Sequence, residues 1–307
     1  MGKKFYQKTG MAIEQIANEV YQLKKGERVP SISDFQQRFS LSRGTVQNAL
    51  NFLKKEQGIK LKSKGHMGTY IEEIDYSILQ KYIISDQISG TMPLPYSKTY
   101  EGLATGLVLS FLGEEIKLNI AYIRGSEERI HMIERGIFDF AVVSRFAAED
   151  MIKAGKEIEI VISFKEHSYL SRHVLLFQSG IDSELRDGLR VGIDYDSFDH
   201  TFLTNQIMKN YDIEFIDLPG SQLVHSIREA QIDVAVWNYD EIIDKNFEDI
   251  HFAELPQENQ YPEIGEAVIV CHKNNRLVSS ILKRKLNIKK IQSIQQQVKD
   301  KELIPRY

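Results

Sequence analysis

One cysteine and one tryptophan occur among 307 residues, and no stretch approaches eighteen consecutive apolar residues. The lone thiol, Cys271, excludes an intramolecular disulfide and a cysteine-based zinc site. It lies in the apolar run Ala267-Val268-Ile269-Val270-Cys271, where a buried, inert thiol is expected. Without a long apolar run there is no candidate spanning helix, so no membrane partner is expected. Met1 to Phe5 carries positive charge but no apolar core follows, which speaks against a signal peptide and for a cytoplasmic protein. Gly-x-Gly-x-x-Gly and Walker-type loops are missing. The eight histidines are scattered. His167 and His173 flank Ser168 and Ser171, but no oriented acid or oxyanion loop accompanies them. No catalytic residue, metal site or cofactor is therefore expected.

What is present is a segregation of charge. Residues 1–71 hold thirteen Lys and Arg against five Asp and Glu; the rest holds 26 against 38. A net charge of −4 thus hides a basic head on an acidic body. Phosphate neutralisation needs basic residues only where nucleic acid touches.

The head has the pattern of a winged helix-turn-helix. Ser31 with Asp34 three residues on is close to a capping box. Ile32, Phe35 and Phe39 then share one helical face. Ser40-Leu41 makes a turn, and Ser42 can cap a second helix with the buried stripe Val46, Ala49, Leu50 and Leu53. Its outer side carries Arg43, Thr45, Gln47 and Asn48. An Arg can donate two bonds to guanine and a Gln can do so to adenine. Beyond Glu56-Gln57-Gly58, Ile59 and Leu61 alternate with Lys60 and Lys62. Lys64-Gly65-His66-Met67-Gly68 turns the chain back along Thr69-Tyr70-Ile71. This hairpin is the expected wing, its lysines set along phosphates.

From Val29-Pro30-Ser31 through Ser42-Arg43-Gly44-Thr45-Val46 to Gly68-Thr69-Tyr70-Ile71, residues 5 to 71 resemble the DNA-binding domain of the GntR family of bacterial regulators. The resemblance implies DNA contacts from Arg43, Thr45 and the wing turn at Gly65 and His66. Ile32-Ser33 stands where that family often has Glu-Arg, and Gln47 where it often has Arg. The wing turn is one residue longer. These departures bear on the operator sequence rather than on DNA binding.

After a linker expected at 73–80, strands and helices alternate. Lys81 to Ile84 reads as a strand or linker, and Tyr100 to Leu112 as a helix. One unit occurs twice: a strand, a Gly-Ser turn, a helix, then an Asp-x-Ala-Val strand. Gly125-Ser126 leads to Asp139-Phe140-Ala141-Val142; Gly220-Ser221 leads to Asp233-Val234-Ala235-Val236. The offsets are 95 residues between the serines and 94 between the aspartates. Two copies imply two lobes of similar α/β topology. Near-continuous apolar strands imply parallel sheets buried on both faces.

Such lobes resemble the type 2 periplasmic-binding-protein fold. The fold class expected is α/β: an N-terminal winged helix-turn-helix (1–72) and a two-lobed binding-protein-like domain (81–307). Lobe 1 would span about 81–180 and 267–307, and lobe 2 about 181–266. Crossovers are expected near Gln178 to Leu189 and Tyr261 to Glu266. Met92 to Leu107, Asp139 to Glu149, Ala235 to Asn238 and the Gly-x-x-Gly-x-Tyr wing also resemble the YhfZ group of bacterial proteins over almost the whole chain. That resemblance implies a transcriptional regulator but supplies no effector.

Ligands of open α/β lobes bind at the carboxyl ends of strands, facing helix N-termini. In lobe 1 this selects Tyr96-Ser97-Lys98-Thr99, Arg124-Gly125-Ser126 and Ser144-Arg145. In lobe 2 it selects Asp194 to Ser197, Ser221, and Trp237-Asn238. Ser126 and Ser221 are equally suited to be helix caps. Arg124 and Arg145 suit a carboxylate or phosphate, or else are exposed charges or pair with Glu127, Glu128 or Glu149. Asp194 and Asp196 suit an amine or hydroxyl, and Trp237 a stacking wall. The expected partners are a double-stranded DNA operator, an anionic or zwitterionic metabolite, and a second copy of the chain. Two alternatives stay open: a DNA-binding protein whose body only dimerises, and an enzyme on a binding-protein-like body.

Overall fold

The computed structural model describes residues 2–83, 87–114, 116–180, 182–255 and 261–307, with side chains from Thr9 onward. The chain forms two compact units, 1–87 and 88–307.

In the first unit, α1 (Gly2–Tyr21) precedes the helix-turn-helix pair α2 (Ile32–Phe39) and α3 (Arg43–Lys55). Ser31 and Asp34 close a reciprocal capping box, the Ser31 N–H donating to Asp34 at 2.7 Å and the Asp34 N–H to Ser31 at 3.1 Å. Ser40 ends α2 in a left-handed conformation, and Ser42 caps α3 by accepting from the Thr45 N–H at 3.2 Å. Ala12, Ile16, Val20, Phe35, Val46, Leu50 and Leu53 form the core. The short strand β1 (Arg28–Val29), β2 (Ile59–Ser63) and β3 (Thr69–Ile74) form an antiparallel sheet in the order β1-β3-β2. The stretch expected as a linker is instead the end of β3 and a helix, α4 (Tyr76–Ile83). Leu79 and Ile83 give α4 a buried side, and Gln80 donates to the Tyr21 hydroxyl at 2.5 Å. A helix this short has too few apolar turns to stand out beside a polar stretch. Lys81 to Ile83 complete it; Ile84 lies outside the described residues.

The second unit holds two five-stranded sheets. The first joins β4 (Gln87–Met92), β5 (Lys117–Tyr122), β6 (Phe140–Ser144), β7 (Ile158–Ser163) and β13 (Ala267–His272). The second joins β8 (His173–Phe177), β9 (Arg190–Ile193), β10 (Glu214–Asp217), β11 (Val234–Asn238) and β12 (His251–Glu254). Their orders are β5-β4-β6-β13-β7 and β10-β9-β11-β8-β12. In each, one antiparallel strand is inserted into an otherwise consecutive set: β13, from the end of the chain, beside β6 in lobe 1, and β8, which opens lobe 2, beside β11. The sheets are therefore mixed, not parallel throughout. Because β8 pairs with β11, lobe 2 begins at His173 and not near 181. The first crossover is the segment between β7 and β8; the stretch from Gln178 to Leu189 joins two strands of lobe 2. The second crossover lies between β12 and β13, where Tyr261 to Glu266 was expected.

The repeated aspartates have the same structural task. The Asp139 carboxylate accepts from the Ser89 N–H at 2.8 Å, and Asp233 accepts from the Arg190 N–H at 2.8 Å. Each aspartate's own N–H donates back to the same residue's carbonyl at 2.8 Å. Asp139 pins β4 to β6, and Asp233 pins β9 to β11.

Lobe 1 is braced by α5 (Lys98–Ser110) lying against the C-terminal helix α12 (Ile288–Lys299). Gly102 and Gly106 make the approach possible: a Cβ on Gly102 would stand 2.8 Å from Gln295 Cα and 2.9 Å from its carbonyl oxygen. Both obstacles are backbone, which cannot swing aside. Gly102→Ala gains about 1 kcal/mol of helix propensity but overpacks a buried helix contact at a cost of about 1–3 kcal/mol. The net expectation is a lower melting temperature in a thermal scan of the full chain.

Candidate functional site

On α3, Arg43 and Gln47 are exposed and Thr45 is half-buried, its hydroxyl 2.8 Å from that of Ser42. Ser31 and Ser42 are engaged as caps. In the wing, Lys62, Lys64, Gly65 and His66 are exposed. Gly65–Met67 forms a single 3-10 turn, closed by the Lys64 N–H on the Gly68 carbonyl at 2.8 Å. Lys64 Nζ lies 4.3 Å over the Tyr70 ring, while Lys60 is turned to Glu72 and Glu73. Exposed Arg28 reaches the wing at Gly68 from β1. A two-residue strand has no periodicity, so the sequence did not single it out.

In the second unit a cavity of about 250 Å³ lies between the lobes. Of the residues expected at an effector site, Tyr96, Arg124, Gly125, Ser126, Asp194, Ser197, Ser221, Trp237 and Asn238 line it. Seven others do not, Tyr195 and Asp196 among them. Ser97 caps α5. The Lys98 N–H donates to Asp244 and its ammonium pairs with Glu101. Thr99 donates to Asp240 at 3.0 Å. Ser144 caps α7 (Arg145–Lys153) and donates to Asp199 at 2.9 Å. Arg145 forms a two-pronged pair with Glu266, at 2.7 and 2.8 Å, and reaches Glu149 at 3.2 Å. Arg145 is thus bound to the second crossover and not free for a ligand. Ser126 and Ser221 are not caps either: they are the first residue of α6 (Ser126–Glu134) and the second of α9 (Gly220–Arg228).

Arg124 also has protein partners. Its guanidinium donates to Asp194 at 3.0 Å and Asp196 at 3.1 Å, across the cleft. Asp194 in turn accepts from the Gly220 N–H at 2.8 Å, so it occupies the start of α9. The lobes meet closely here. Gly125, at φ +74°, lies so near the Asp196 carbonyl that a Cβ would stand 2.7 Å from it. Beside the cleft, Phe146 of α7 packs on Phe198, Phe202 and Tyr261.

Several cavity residues had no signal in the sequence. Arg129, 3% exposed, donates from Nε to Val142 O, from Nη1 to Ile123 O and from Nη2 to Tyr169 Oη. It lies inside the helical run Ser126 to Glu134, where an arginine reads as surface. Trp237 stacks on Tyr96, which meets Tyr100 edge-on, and Tyr100 meets Tyr169 the same way. Burial raises all three tyrosine pKa values. Glu241, 6% exposed, pairs with Lys245 at 2.6 Å; desolvation nevertheless raises its carboxyl. His200 is a neutral ring, donating from Nε2 to Val236 O and accepting the Asp194 N–H on Nδ1. Burial pushes His173 down to about 3 and Asp199 up to about 6. The serines near His167 and His173 serve the fold. Ser168 accepts from the Ala267 N–H and donates to Lys165 O, and Ser171 holds Asp240. Cys271 is buried, its thiol pushed up to about 12 by desolvation.

Two lobes with matching inserted-strand topology, two crossovers and a cavity between them give the C-terminal unit a fold resembling that of two-lobed periplasmic binding proteins, on a chain that also carries a helix-turn-helix domain. Residues 75–307 match the YhfZ C-terminal domain family and 24–71 a helix-turn-helix domain. The chain belongs to the YhfZ family. It is 27% identical to the uncharacterized protein YhfZ of Escherichia coli K12 over the whole of both chains. It is also 27% identical to the crystal structure of YhfZ from Shigella flexneri, with a TM-score of 0.61 over 75% of this chain and 97% of that one. An ancestral arginine-binding protein bound to arginine shares the fold at 11% identity and a TM-score of 0.51, over 71% of this chain and 98% of its own. Among the described residues no helix is long and apolar enough to cross a membrane.

Asp199 gives the cavity a pH signature. Burial holds its folded pKa above the ordinary aspartate range, so between the two values the folded state keeps a proton that the unfolded chain releases. Stability from this group is present at low pH and is lost as pH rises from about 4 through about 6. His173 has the opposite slope, because a buried neutral ring disfavours the fold below the ordinary histidine range. Asp199→Asn should remove the first slope. In denaturant titrations the variant should gain on the wild type between pH 4.5 and 7, by about 2 kcal/mol.

Proposed function

We propose that this protein is a transcriptional regulator. A dimer binds an operator in double-stranded DNA, and a small anionic or zwitterionic metabolite held between the lobes controls that binding. The observation that carries this reading is a lined, inter-lobe cavity on the same chain as a helix-turn-helix unit that exposes Arg43, Gln47 and the wing's Lys62 and Lys64. Arg43, Thr45 and Gln47 would meet base edges. The wing at Lys62, Lys64, Gly65 and His66, with Arg28 beside it, would follow the phosphate backbone. Ser31 and Ser42 act on DNA through the helix ends they fix.

Control requires that the metabolite bind the DNA-competent and incompetent states unequally. The contacts such a change would have to alter are those between the lobes: Arg124 with Asp194 and Asp196, and Ser144 with Asp199. The fold and the helix-turn-helix domain point to a non-enzymatic regulator, and the serines beside His167 and His173 are bound to the scaffold. A second reading, in which the C-terminal unit only dimerises, draws on the same contacts, since the chain's own carboxylates already tie the lobes.

Arg43→Ala should weaken binding to DNA selected from a random pool by the wild type, by about 1–3 kcal/mol. Fluorescence anisotropy at fixed salt measures this, and unchanged affinity would sink the assignment of α3. Trp237, the only tryptophan, lines the cavity and reports its filling. A metabolite that changes its emission saturably, raises the melting temperature and shifts DNA affinity is the expected effector. If no carboxylate, phosphate or amino acid moves any of the three, the dimerising scaffold is the better reading.

A further inference from the structure

We infer that the cavity takes a net-neutral zwitterion, its anionic group at Arg129 and its ammonium at Glu241, with the body of the molecule laid along Tyr96, Tyr100 and Tyr169. This rests on the reading of the cavity as an effector site and narrows it.

Charge balance is the first argument. The charged residues that line the cavity, among those described, are Arg124, Arg129 and Lys245 against Asp194, Asp199 and Glu241. Three cations face three carboxylates. A ligand of net charge would enter a balanced site with nothing of opposite sign left over, and burying an unpaired charge is costly. The two arginines that favoured an anion from the sequence do not tip this balance. Arg124 is held by Asp194 and Asp196, and Arg145 by Glu266 outside the cavity. A zwitterion brings one charge of each sign and leaves the site neutral.

Unfilled bonding capacity then places the two ends. Arg129 gives hydrogen bonds to two carbonyls and a phenol, all neutral acceptors, and no carboxylate among the described residues lies within ion-pair distance of it. Two of its five guanidinium N–H groups have no such acceptor. Glu241 Oε1 is taken by Lys245, but Oε2 is buried without a hydrogen-bond partner. The indole Nε1 of Trp237, which faces this carboxylate, and Asn238 Nδ2 are also buried and unpartnered. Leaving buried polar atoms unsatisfied costs about 1–3 kcal/mol each. An ammonium at Oε2 supplies the donor that this buried acceptor lacks.

The tyrosines connect the ends. Trp237 stacks on Tyr96 with ring centroids 6.1 Å apart; Tyr96 to Tyr100 and Tyr100 to Tyr169 are 5.1 Å each. Tyr169 Oη then accepts from Arg129 at 3.0 Å. Glu241 thus stands at one end of an aromatic row and Arg129 at the other. A cavity of about 250 Å³ admits a small metabolite and no more.

The test is calorimetric titration of the full-length protein with matched probes. The zwitterions are the neutral standard L-amino acids and the ω-amino acids from β-alanine to 6-aminohexanoate. Each zwitterion that binds is compared with its carboxylate-only and amine-only counterparts, with succinate and inorganic phosphate run beside them. The expected result is at least one zwitterion that binds tenfold or more tighter than both counterparts. Glu241→Gln should weaken it at least tenfold without weakening the carboxylate-only counterpart. Succinate, phosphate or a carboxylate-only probe that equals or exceeds every zwitterion would overturn the inference while leaving the effector reading intact. Unchanged zwitterion affinity in Glu241→Gln would overturn the placement of the ammonium. No binding by any probe would remove both readings.

Discussion

The C-terminal unit depends on carboxylates of one lobe meeting donors of the other. Asp194 and Asp196 hold Arg124, Asp199 holds Ser144, Asp240 holds Thr99, and Asp244 takes the Lys98 N–H. Lobe 2 supplies every acceptor and lobe 1 every donor. Each contact is modest where water reaches it, but several acting together set one geometry for the cleft. The tyrosine row, the Phe146 cluster and the position of Arg129 all presuppose that geometry.

Much of this was legible in the chain before its structure. The capping residues of α2 and α3, the wing and the doubled Gly-Ser and Asp-x-Ala-Val unit are local patterns, and local patterns survive translation into sequence. Residues at strand ends were legible too, since the carboxyl end of a strand follows from where the apolar run stops. Nine of the sixteen effector residues named from this rule line the cavity.

What stayed hidden was pairing across long sequence distances. Arg124 and Asp194 are 70 positions apart, and Arg145 and Glu266 are 121 apart. Only the Arg145 pair with Glu149, four residues on, could be read locally; the distant partners Asp194 and Glu266 could not. Arg129 was hidden for the opposite reason: its position in α6 is ordinary, and only packing turns it inward. The lobe boundary was misplaced because β8 is an apolar strand like any other. That it is antiparallel, and therefore already in lobe 2, depends on a strand some 60 residues further on.

The inserted strands also make the two lobes unequal in time. All five strands of lobe 2 lie in one stretch, from His173 to Glu254. Lobe 1 cannot close until β13 arrives, because β6 and β7 both pair with that strand and not with each other. As the chain is synthesised, lobe 2 can be complete while lobe 1 still presents two open strand edges. The C-terminal segment is therefore the latch of the first lobe. A ribosome that stops before Ala267 would release a chain with a finished head, a finished second lobe and an adhesive half-sheet between them.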